Sequence, residues 1–167
     1  PAPHIPIPSL GHSIMDEASG FYFGRELIRD YFYKRMPESL AGLMGKTYDL
    51  NPDEIRHHLY QKPHPNAYIG KFAEVLFNPE LNKKTEENFY VYQLIKKGIQ
   101  LFIDCRILTF DNANQVPIHF IGSIAYFSKD VVEECLEENG LKAGKFVRKP
   151  MDGLVDYYKR KLWLYRK

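Results

Sequence analysis

The chain has 167 residues, of which 44% are hydrophobic, and this is enough for one domain with a buried core. Its 23 basic and 21 acidic residues leave a net charge of +2, which gives no electrostatic argument for a nucleic-acid partner. No apolar run approaches the roughly 20 residues that span a membrane. We therefore expect residues 1–167 to form a single domain that binds neither nucleic acid nor membrane.

The first residues and the two cysteines indicate the context of the protein. The opening, PAPHIPIP, contains four prolines and no signal peptide is visible, so we expect this chain to continue a longer protein. Cys105 and Cys135 form no CxxC motif and have no histidine at metal-ligand spacing. Such cysteines are typical of buried, reduced thiols, which predicts a cytoplasmic protein.

Residues 10–77 predict a loop followed by helices. The loop, LGHSIMDEASGFYFG at residues 10–24, contains three glycines, which favour a close approach of its backbone to another group. The spacing of Phe23, Leu27 and Tyr31 predicts a helix from residue 19 to about residue 35. Asn51 and Pro52 predict the beginning of another helix, which continues to about residue 61. Two further helices are predicted over residues 38–44 and 66–77.

The second half of the chain predicts one long helix and then alternating strands and helices. The long helix covers residues 85–110, where Ile95, Ile99 and Ile103 recur at four-residue spacing. The apolar run at residues 118–121 predicts a strand buried on both faces, and a second strand is predicted at residues 144–148. Because a helix separates the two strands, this order predicts a parallel βαβ unit.

The helices around these strands have recognisable ends. Ser128 is predicted to cap the helix between the strands, and Gly140 is predicted to end it in a left-handed conformation. Asp152 is predicted to cap the last helix, whose inward face would carry Leu154, Val155, Tyr158 and Leu162. The whole chain is therefore expected to be α/β and rich in helices, with two short parallel strands.

Several groups of residues have ordinary structural explanations as well as functional ones. Asp16 and Glu17 are suited to stabilise a helix N-terminus, and Gly122-Ser123 is suited to a simple turn from strand to helix. The histidines lack partners at metal-ligand spacing, so no protein-bound metal is predicted. The aromatic content of 14% favours a buried surface, which either a missing half of the protein or a second subunit would cover. The basic residues near the end, which suit a solvated helix end or a nucleic-acid or membrane contact, are Lys159, Arg160, Lys161, Arg166 and Lys167.

Two sequence blocks, LGHSIMDEASGFYFG at residues 10–24 and HFIGSIAY at residues 119–126, resemble the N-acetylglucosamine kinase-like branch of the BadF/BcrA-type ATPase family. This branch belongs to the actin, hexokinase and heat-shock-protein ATPase superfamily. The helices between the blocks and the closing RKPMDGLVDYY, at residues 148–158, are also similar. The resemblance covers nearly the whole chain but only the second half of such a protein. It implies the C-terminal half of a ribonuclease-H-like, actin/hexokinase-type ATPase fold.

The resemblance implies an amino-sugar site in the first block and an adenosine site in the second. By resemblance, Asp16 contacts sugar hydroxyls together with Gly11 and His12. Gly122 and Ser123 match the adenosine motif, and Tyr126 falls at a base-side position. The cofactors implied are ATP and the Mg²⁺ that accompanies it. The phosphate loops and the catalytic base are expected outside this chain, in the missing N-terminal half.

Two functions remain open from the sequence. One is part of an ATP-dependent sugar kinase that phosphorylates N-acetylglucosamine or a related amino sugar in a cleft between two halves. The other is a diverged, non-catalytic module that binds nucleotide or sugar, or that forms a homodimer. Met15 and Ala18 favour the second, because the family usually has glycine at both positions, and glycine permits backbone conformations that other residues adopt at a cost.

Overall fold

The computed structural model describes residues 5–78, 81 and 85–164. His4 and the first prolines, as well as Tyr165, Arg166 and Lys167, lie outside the described residues. The chain divides into two compact units, Pro1–Asp111 (unit 1) and Asn112–Lys167 (unit 2). None of the described helices is both long enough and apolar enough to cross a membrane.

Unit 1 consists of helices, and most of their predicted boundaries are close to the observed ones. Ser19 caps α1 and Asn51 caps α3, each by accepting a hydrogen bond from a backbone N–H two or three residues later. The predicted helix at residues 66–77 is divided into an α-helix and a 3₁₀-helix, and the long predicted helix changes to a π-helix after Phe102. The helices are α1 (Gly20–Phe32), α2 (Glu38–Thr47), α3 (Pro52–Tyr60), α4 (Pro65–Lys71), a 3₁₀-helix (Phe72–Phe77), α5 (Thr85–Phe102) and a π-helix (Ile103–Ile107).

The core of unit 1 lies around α1. Phe23 and Leu27 on α1 are fully buried, as their spacing predicts, and Ile99 of α5 is 3% exposed. Helix α1 packs closely on α4, because Gly24 has no side chain to separate them. A Cβ atom built on Gly24 would lie 1.9 Å from the carbonyl oxygen of Ile69 in α4. Helix α1, which begins at Gly20 within the residue 10–24 block, therefore lies on a firmly packed support.

Unit 2 contains the predicted parallel βαβ unit. Strands β1 (Pro117–Ile121) and β2 (Lys142–Val147) pair in parallel, and α6 (Ser123–Phe127) and α7 (Lys129–Glu138) connect them. Gly140 ends α7 with a φ of +68°, as predicted. The unit begins with a 3₁₀-helix (Ala113–Gln115) and ends with α8 (Pro150–Leu164). The described residues thus form a helix-rich α/β structure with one short parallel sheet.

The pairing of the two strands contains a bulge. Ile118 pairs with Ala143 and Phe120 pairs with Phe146, so β2 has one more residue than β1 between these pairs. The backbone N–H of Lys145, within the bulge, donates a hydrogen bond to Nδ1 of His119 at 2.8 Å. His119 therefore has a structural role in the sheet.

Two burial predictions for this part of the chain are wrong. Strand β1 is not buried on both faces: its residues alternate between half-buried and exposed, and Ile121 is 68% exposed. Among the described residues, helices α6 and α7 and the short 3₁₀-helix (Ala113–Gln115) pack on the two strands, which is too little to cover both faces of a sheet. Likewise Leu154, Val155 and Tyr158 of α8 are exposed, because an apolar helix face is buried only where another element covers it. The Leu162 side chain lies outside the described part.

Three further details differ from the predictions. Helix α8 begins at Pro150, so Asp152 lies inside the helix and does not cap it, and its side chain is outside the described part. Ser128 precedes α7 as predicted, but its hydroxyl forms no capping hydrogen bond. Neither Cys105 nor Cys135 forms a disulfide bond; Cys135 is buried as predicted, whereas Cys105 is partly exposed.

Candidate functional site

The residue 10–24 loop begins with a tight turn at Gly11. Gly11 has a φ of +86°, and its carbonyl oxygen accepts hydrogen bonds from the N–H groups of Ile14 at 3.1 Å and Met15 at 2.8 Å. A residue with a side chain adopts this backbone conformation only at a cost. Next to it, the ring of His12 packs edge-on against the ring of Phe21, with centroids 5.0 Å apart. Gly11 and His12 are therefore in a defined turn at the beginning of the loop.

Asp16 lies between this turn and α1. Its carbonyl oxygen accepts a 3.4 Å hydrogen bond from the N–H of Ser19. Its side chain is partly exposed, and within the described residues its carboxylate forms no hydrogen bond or ion pair with the protein. Asp16 and Glu17 do not cap α1, because the hydroxyl of Ser19 does so. A carboxylate in this state is well suited to accept hydrogen bonds from a polyhydroxylated ligand.

Glu17 has a different partner, which the sequence does not reveal. Its Oε2 accepts a hydrogen bond at 3.0 Å from Nε of Arg106, which belongs to the π-helix of the same unit. Arg106 also donates to the carbonyl oxygens of Ile7 at 3.4 Å and of Met15 at 3.5 Å. The sequence feature that could have indicated this contact is the single arginine in the mainly apolar sequence IDCRILTF at residues 103–110.

The two positions that depart from the family pattern differ in backbone conformation. Ala18 has a φ of +56°, so it lies in the left-handed region where glycine is favoured. Met15 is not among the described residues with positive φ. The substitution at residue 15 therefore imposes no such backbone cost, whereas the one at residue 18 places a Cβ atom in a conformation that costs roughly 1 kcal/mol.

The second predicted group of residues surrounds the turn from β1 to α6. Gly122 has a φ of +129° and a ψ of 164°, a conformation accessible almost only to glycine. Its N–H donates to the carbonyl oxygen of Val147 at 2.9 Å, and its carbonyl oxygen accepts from the N–H of Tyr126 at 3.2 Å. Ser123 is exposed, and Tyr126 is 45% exposed. A Cβ atom at Gly122 would have no heavy atom within 4 Å, so a ligand can approach this backbone closely.

A cleft of about 700 Å³ lies beside Tyr126 within unit 2. Arg148, on the chain just after β2, stacks its guanidinium 4.7 Å from the ring centroid of Phe127. The cleft combines aromatic rings with both signs of charge. It is lined by Tyr126, Phe127, Lys129, Asp130, Gly144, Lys145, Phe146 and Val147.

The six predicted site residues thus form two groups. The structure brings Gly11, His12 and Asp16 together in one loop of unit 1. It brings Gly122, Ser123 and Tyr126 together in one turn of unit 2. Each group is a compact local structure with at least one glycine at positive φ. Sequence reasoning missed Arg106 and its ion pair with Glu17, which lie near the first group.

Comparison with known proteins gives a likeness to a solved structure. No family model matches the sequence, and no curated protein matches it. Among solved structures, the chain is similar to a crystal structure from Porphyromonas gingivalis that is named as a candidate N-acetylglucosamine kinase. The TM-score is 0.78 and the sequence identity is 29%, over 91% of this chain and 51% of that chain. The chain therefore spans about half the length of that protein.

Proposed function

We propose that this chain is the C-terminal half of an ATP-dependent kinase that phosphorylates N-acetylglucosamine or a related amino sugar. The observation that carries the proposal is the likeness, at a TM-score of 0.78 over 91% of the chain, to a protein named as a candidate N-acetylglucosamine kinase. The two motif-bearing turns support it, since each has a backbone suited to close approach of a ligand. Under this proposal the fold is the C-terminal part of an actin/hexokinase-type ATPase.

The loop of unit 1 would bind the sugar. The Asp16 carboxylate accepts hydrogen bonds from hydroxyl groups, and a bond to a charged acceptor is stronger than one between neutral groups. Holding the acceptor sugar in a fixed orientation is much of what a phosphoryl-transfer enzyme must achieve, because the reaction proceeds in line. Gly11 and His12, in the turn before Asp16, would form the neighbouring wall of the sugar site.

The turn of unit 2 would hold adenosine. The residues present fit this role, because Gly122 leaves open space where a side chain would stand. The nucleoside would lie against the backbone of Gly122 and beside Ser123 and Tyr126. ATP, with its Mg²⁺, supplies the phosphoryl group when bound. The chain itself contributes adenosine and sugar contacts, whereas the catalytic base and the phosphate loops are assigned to the other half of the protein.

A partner surface is part of the same proposal. In unit 2 the apolar side chains of Ile121, Leu154 and Val155 are between 44% and 68% exposed. Large exposed apolar side chains in one unit favour a protein–protein contact. We assign it to the N-terminal half of the protein. We expect the isolated chain to show no phosphoryl transfer, because it would lack the groups that hold the γ-phosphate.

The proposal is tested by calorimetric titration of the full-length protein with N-acetylglucosamine and other amino sugars, with and without ATP. The Asp16→Asn variant is expected to bind the sugar about 10- to 100-fold more weakly, since a hydrogen bond to a charged group is lost. The control is Asp111→Asn, which changes an exposed carboxylate elsewhere in unit 1 and should leave affinity unchanged.

The outcomes separate the two functions that the sequence leaves open. Sugar-dependent consumption of ATP by the full-length protein supports the kinase. Sugar binding without any phosphoryl transfer supports the non-catalytic module. Absence of binding of both amino sugars and ATP overturns the proposal.

A further inference from the structure

We propose that Arg106 is a positioning residue for the acceptor loop, defined here as residues 11–18, and that its bond to Glu17 keeps Asp16 in one backbone conformation. The inference rests on the proposed function for the identity of the ligand. The effect of Arg106 on the loop backbone is measured without any ligand, so it does not depend on the ligand's identity. Nothing in the sequence pattern connects Arg106 with this loop, because Arg106 and Glu17 are 89 residues apart.

The geometry shows how one side chain can hold the loop. Arg106 uses three nitrogen atoms: Nε on the carboxylate of Glu17, Nη2 on the carbonyl oxygen of Met15, and Nη1 on the carbonyl oxygen of Ile7. Met15 and Glu17 are the two neighbours of Asp16 in sequence. The contact with the Glu17 carboxylate at 3.0 Å is the strongest of the three. The two carbonyl contacts at 3.4 and 3.5 Å are weaker, and they orient the guanidinium relative to the loop backbone.

The ion pair is sheltered from solvent. The side chain of Arg106 is 17% exposed and that of Glu17 is 14% exposed, whereas the surface pair of Arg56 and Asp53 is 62% and 84% exposed. A sheltered pair is screened less by salt, and removal of one member leaves the other charge poorly solvated. The contact therefore resists the fluctuations that make surface ion pairs contribute little.

The loop depends on this contact because it has little core of its own. No residue from 5 to 21 is fully buried. By contrast, Arg106 projects from a π-helix whose Ile103 and Ile107 are 0% and 6% exposed, so its backbone is fixed on the core of unit 1. A π-helical turn within a longer helix is often associated with function. Arg106 thus connects a rigid segment to a segment that lacks buried side chains.

The test uses Arg106→Lys and Glu17→Gln in the full-length protein, with residue-resolved amide hydrogen exchange measured without ligand. We expect the amides of Ile14, Met15 and Ser19 to exchange at least about tenfold faster in both variants, while those of α4 are unchanged. Lysine keeps the positive charge of Arg106 but lacks the planar guanidinium whose two Nη atoms contact the carbonyl oxygens of Ile7 and Met15. The control is Arg29→Lys, which alters the ion pair between a 51% exposed arginine and Glu26 on α1 and should leave the loop amides unchanged.

A second measurement tests whether the conformation of the loop affects sugar affinity. We expect Arg106→Lys to weaken N-acetylglucosamine binding about tenfold, and to have no further effect in an Asp16→Asn background, because both changes act through the same carboxylate. Unchanged exchange of the loop amides in Arg106→Lys and Glu17→Gln overturns the inference. Equally faster exchange throughout unit 1 also overturns it, since Arg106 would then be a general structural contact. A wild-type protein that binds no amino sugar refutes the proposed function, and the exchange data still decide the role of Arg106.

Discussion

The two candidate binding segments, the acceptor loop before α1 and the Gly122 turn before α6, are held in different ways. The acceptor loop is fixed by a side chain from a distant part of unit 1, through the bonds of Arg106 to Glu17, Met15 and Ile7. The Gly122 turn is fixed by its own backbone, through hydrogen bonds to Val147 and Tyr126 and through a φ that glycine tolerates. We therefore expect the acceptor loop to respond to substitutions far away in the sequence, and the Gly122 turn to respond mainly to substitution of Gly122 itself.

The surroundings of the two segments differ as well. The acceptor loop leads into α1, which is buried in the core of unit 1 at Phe23 and Leu27. The Gly122 turn joins β1 to α6, and Ile121 beside it is 68% exposed. Unit 1 therefore supports its loop from within, whereas the sheet of unit 2 leaves the apolar side chain of Ile121 exposed. The following substitutions test this difference.

The strongest test concerns the support of the acceptor loop. In Gly24→Ala, the new Cβ atom would lie 1.9 Å from the carbonyl oxygen of Ile69, so α1 and α4 must separate. We expect the free energy of unfolding of unit 1, measured by hydrogen exchange of α1 amides, to fall by at least about 3 kcal/mol. The control, Gly42→Ala in α2, has open space around its Cβ atom and should stabilise by about 0.5–1 kcal/mol. Similar free energies of unfolding for both variants would show that α1 does not depend on close packing against α4 at Gly24.

The second test concerns the backbone of the unit 2 turn. Gly122→Ala meets no neighbouring atom, so its expected cost of about 1–3 kcal/mol comes from the φ of +129° alone. Amide exchange in β2 and α7 measures this cost, and ATP affinity of the full-length protein should fall with it. Ser123→Ala, at an exposed neighbouring residue, should change stability by less than about 0.5 kcal/mol. If Ser123→Ala were as costly as Gly122→Ala, the turn would not be governed by its glycine.

The third test uses pH to examine the contact between α1 and α5. The hydroxyl of Tyr90 donates a 2.7 Å hydrogen bond to Oδ2 of Asp30, and burial, followed by this hydrogen bond and the charge of Asp30, raises the pKa of Tyr90. The folded-state pKa lies above the unfolded value near 10, so this group's stabilisation is complete below pH ~10 and is lost as the pH rises further.

In Tyr90→Phe, unit 1 should lose about 1–2 kcal/mol of stability at neutral pH and should become less sensitive to pH above ~10. Denaturant unfolding between pH 7 and 11 measures both effects. Tyr60→Phe, at a tyrosine that is 81% exposed, serves as the control and should change neither. An unchanged alkaline loss of stability in Tyr90→Phe would contradict this account of the contact.

The smallest expected effect is at Ala18 in the acceptor loop. Ala18→Gly removes a Cβ atom from a residue with a φ of +56°, so we expect a stabilisation of up to about 1 kcal/mol. Ala67→Gly, at an exposed residue inside α4, should instead destabilise by about 1 kcal/mol. Denaturant unfolding of the two variants gives the comparison. Destabilisation by Ala18→Gly would mean that the left-handed residue is not under strain.

Local signals in the sequence were sufficient where the interacting groups are neighbours in the chain. The N-cap at Asn51 acts on Asp53, two residues away, and the left-handed residue at Gly140 ends the helix next to it. The parallel pairing of β1 and β2 was also predictable, because a strand, a helix and a second strand in this order allow few other arrangements.

The sequence was insufficient where a property depends on a distant element. The apolar pattern of β1 predicts burial on both faces, but burial requires covering elements, and the described sheet has two strands on which only short helices such as α6 and α7 pack. The same reason applies to Leu154 and Val155 of α8. The partner of Glu17 could not be predicted, because Arg106 approaches it through a π-helix that has no simple sequence signal.

The bulge in β2 has a consequence for how related sequences can vary. A Cβ atom at residue 144 would lie 2.4 Å from Nδ1 of His119, the atom that accepts the N–H of Lys145. The imidazole of His119 therefore occupies the space that a side chain at residue 144 would need. In homologous chains we expect these two positions to covary: where residue 144 is larger than glycine, the histidine at residue 119 should be replaced by a smaller residue, and the extra residue of β2 should be deleted or find another hydrogen-bond acceptor.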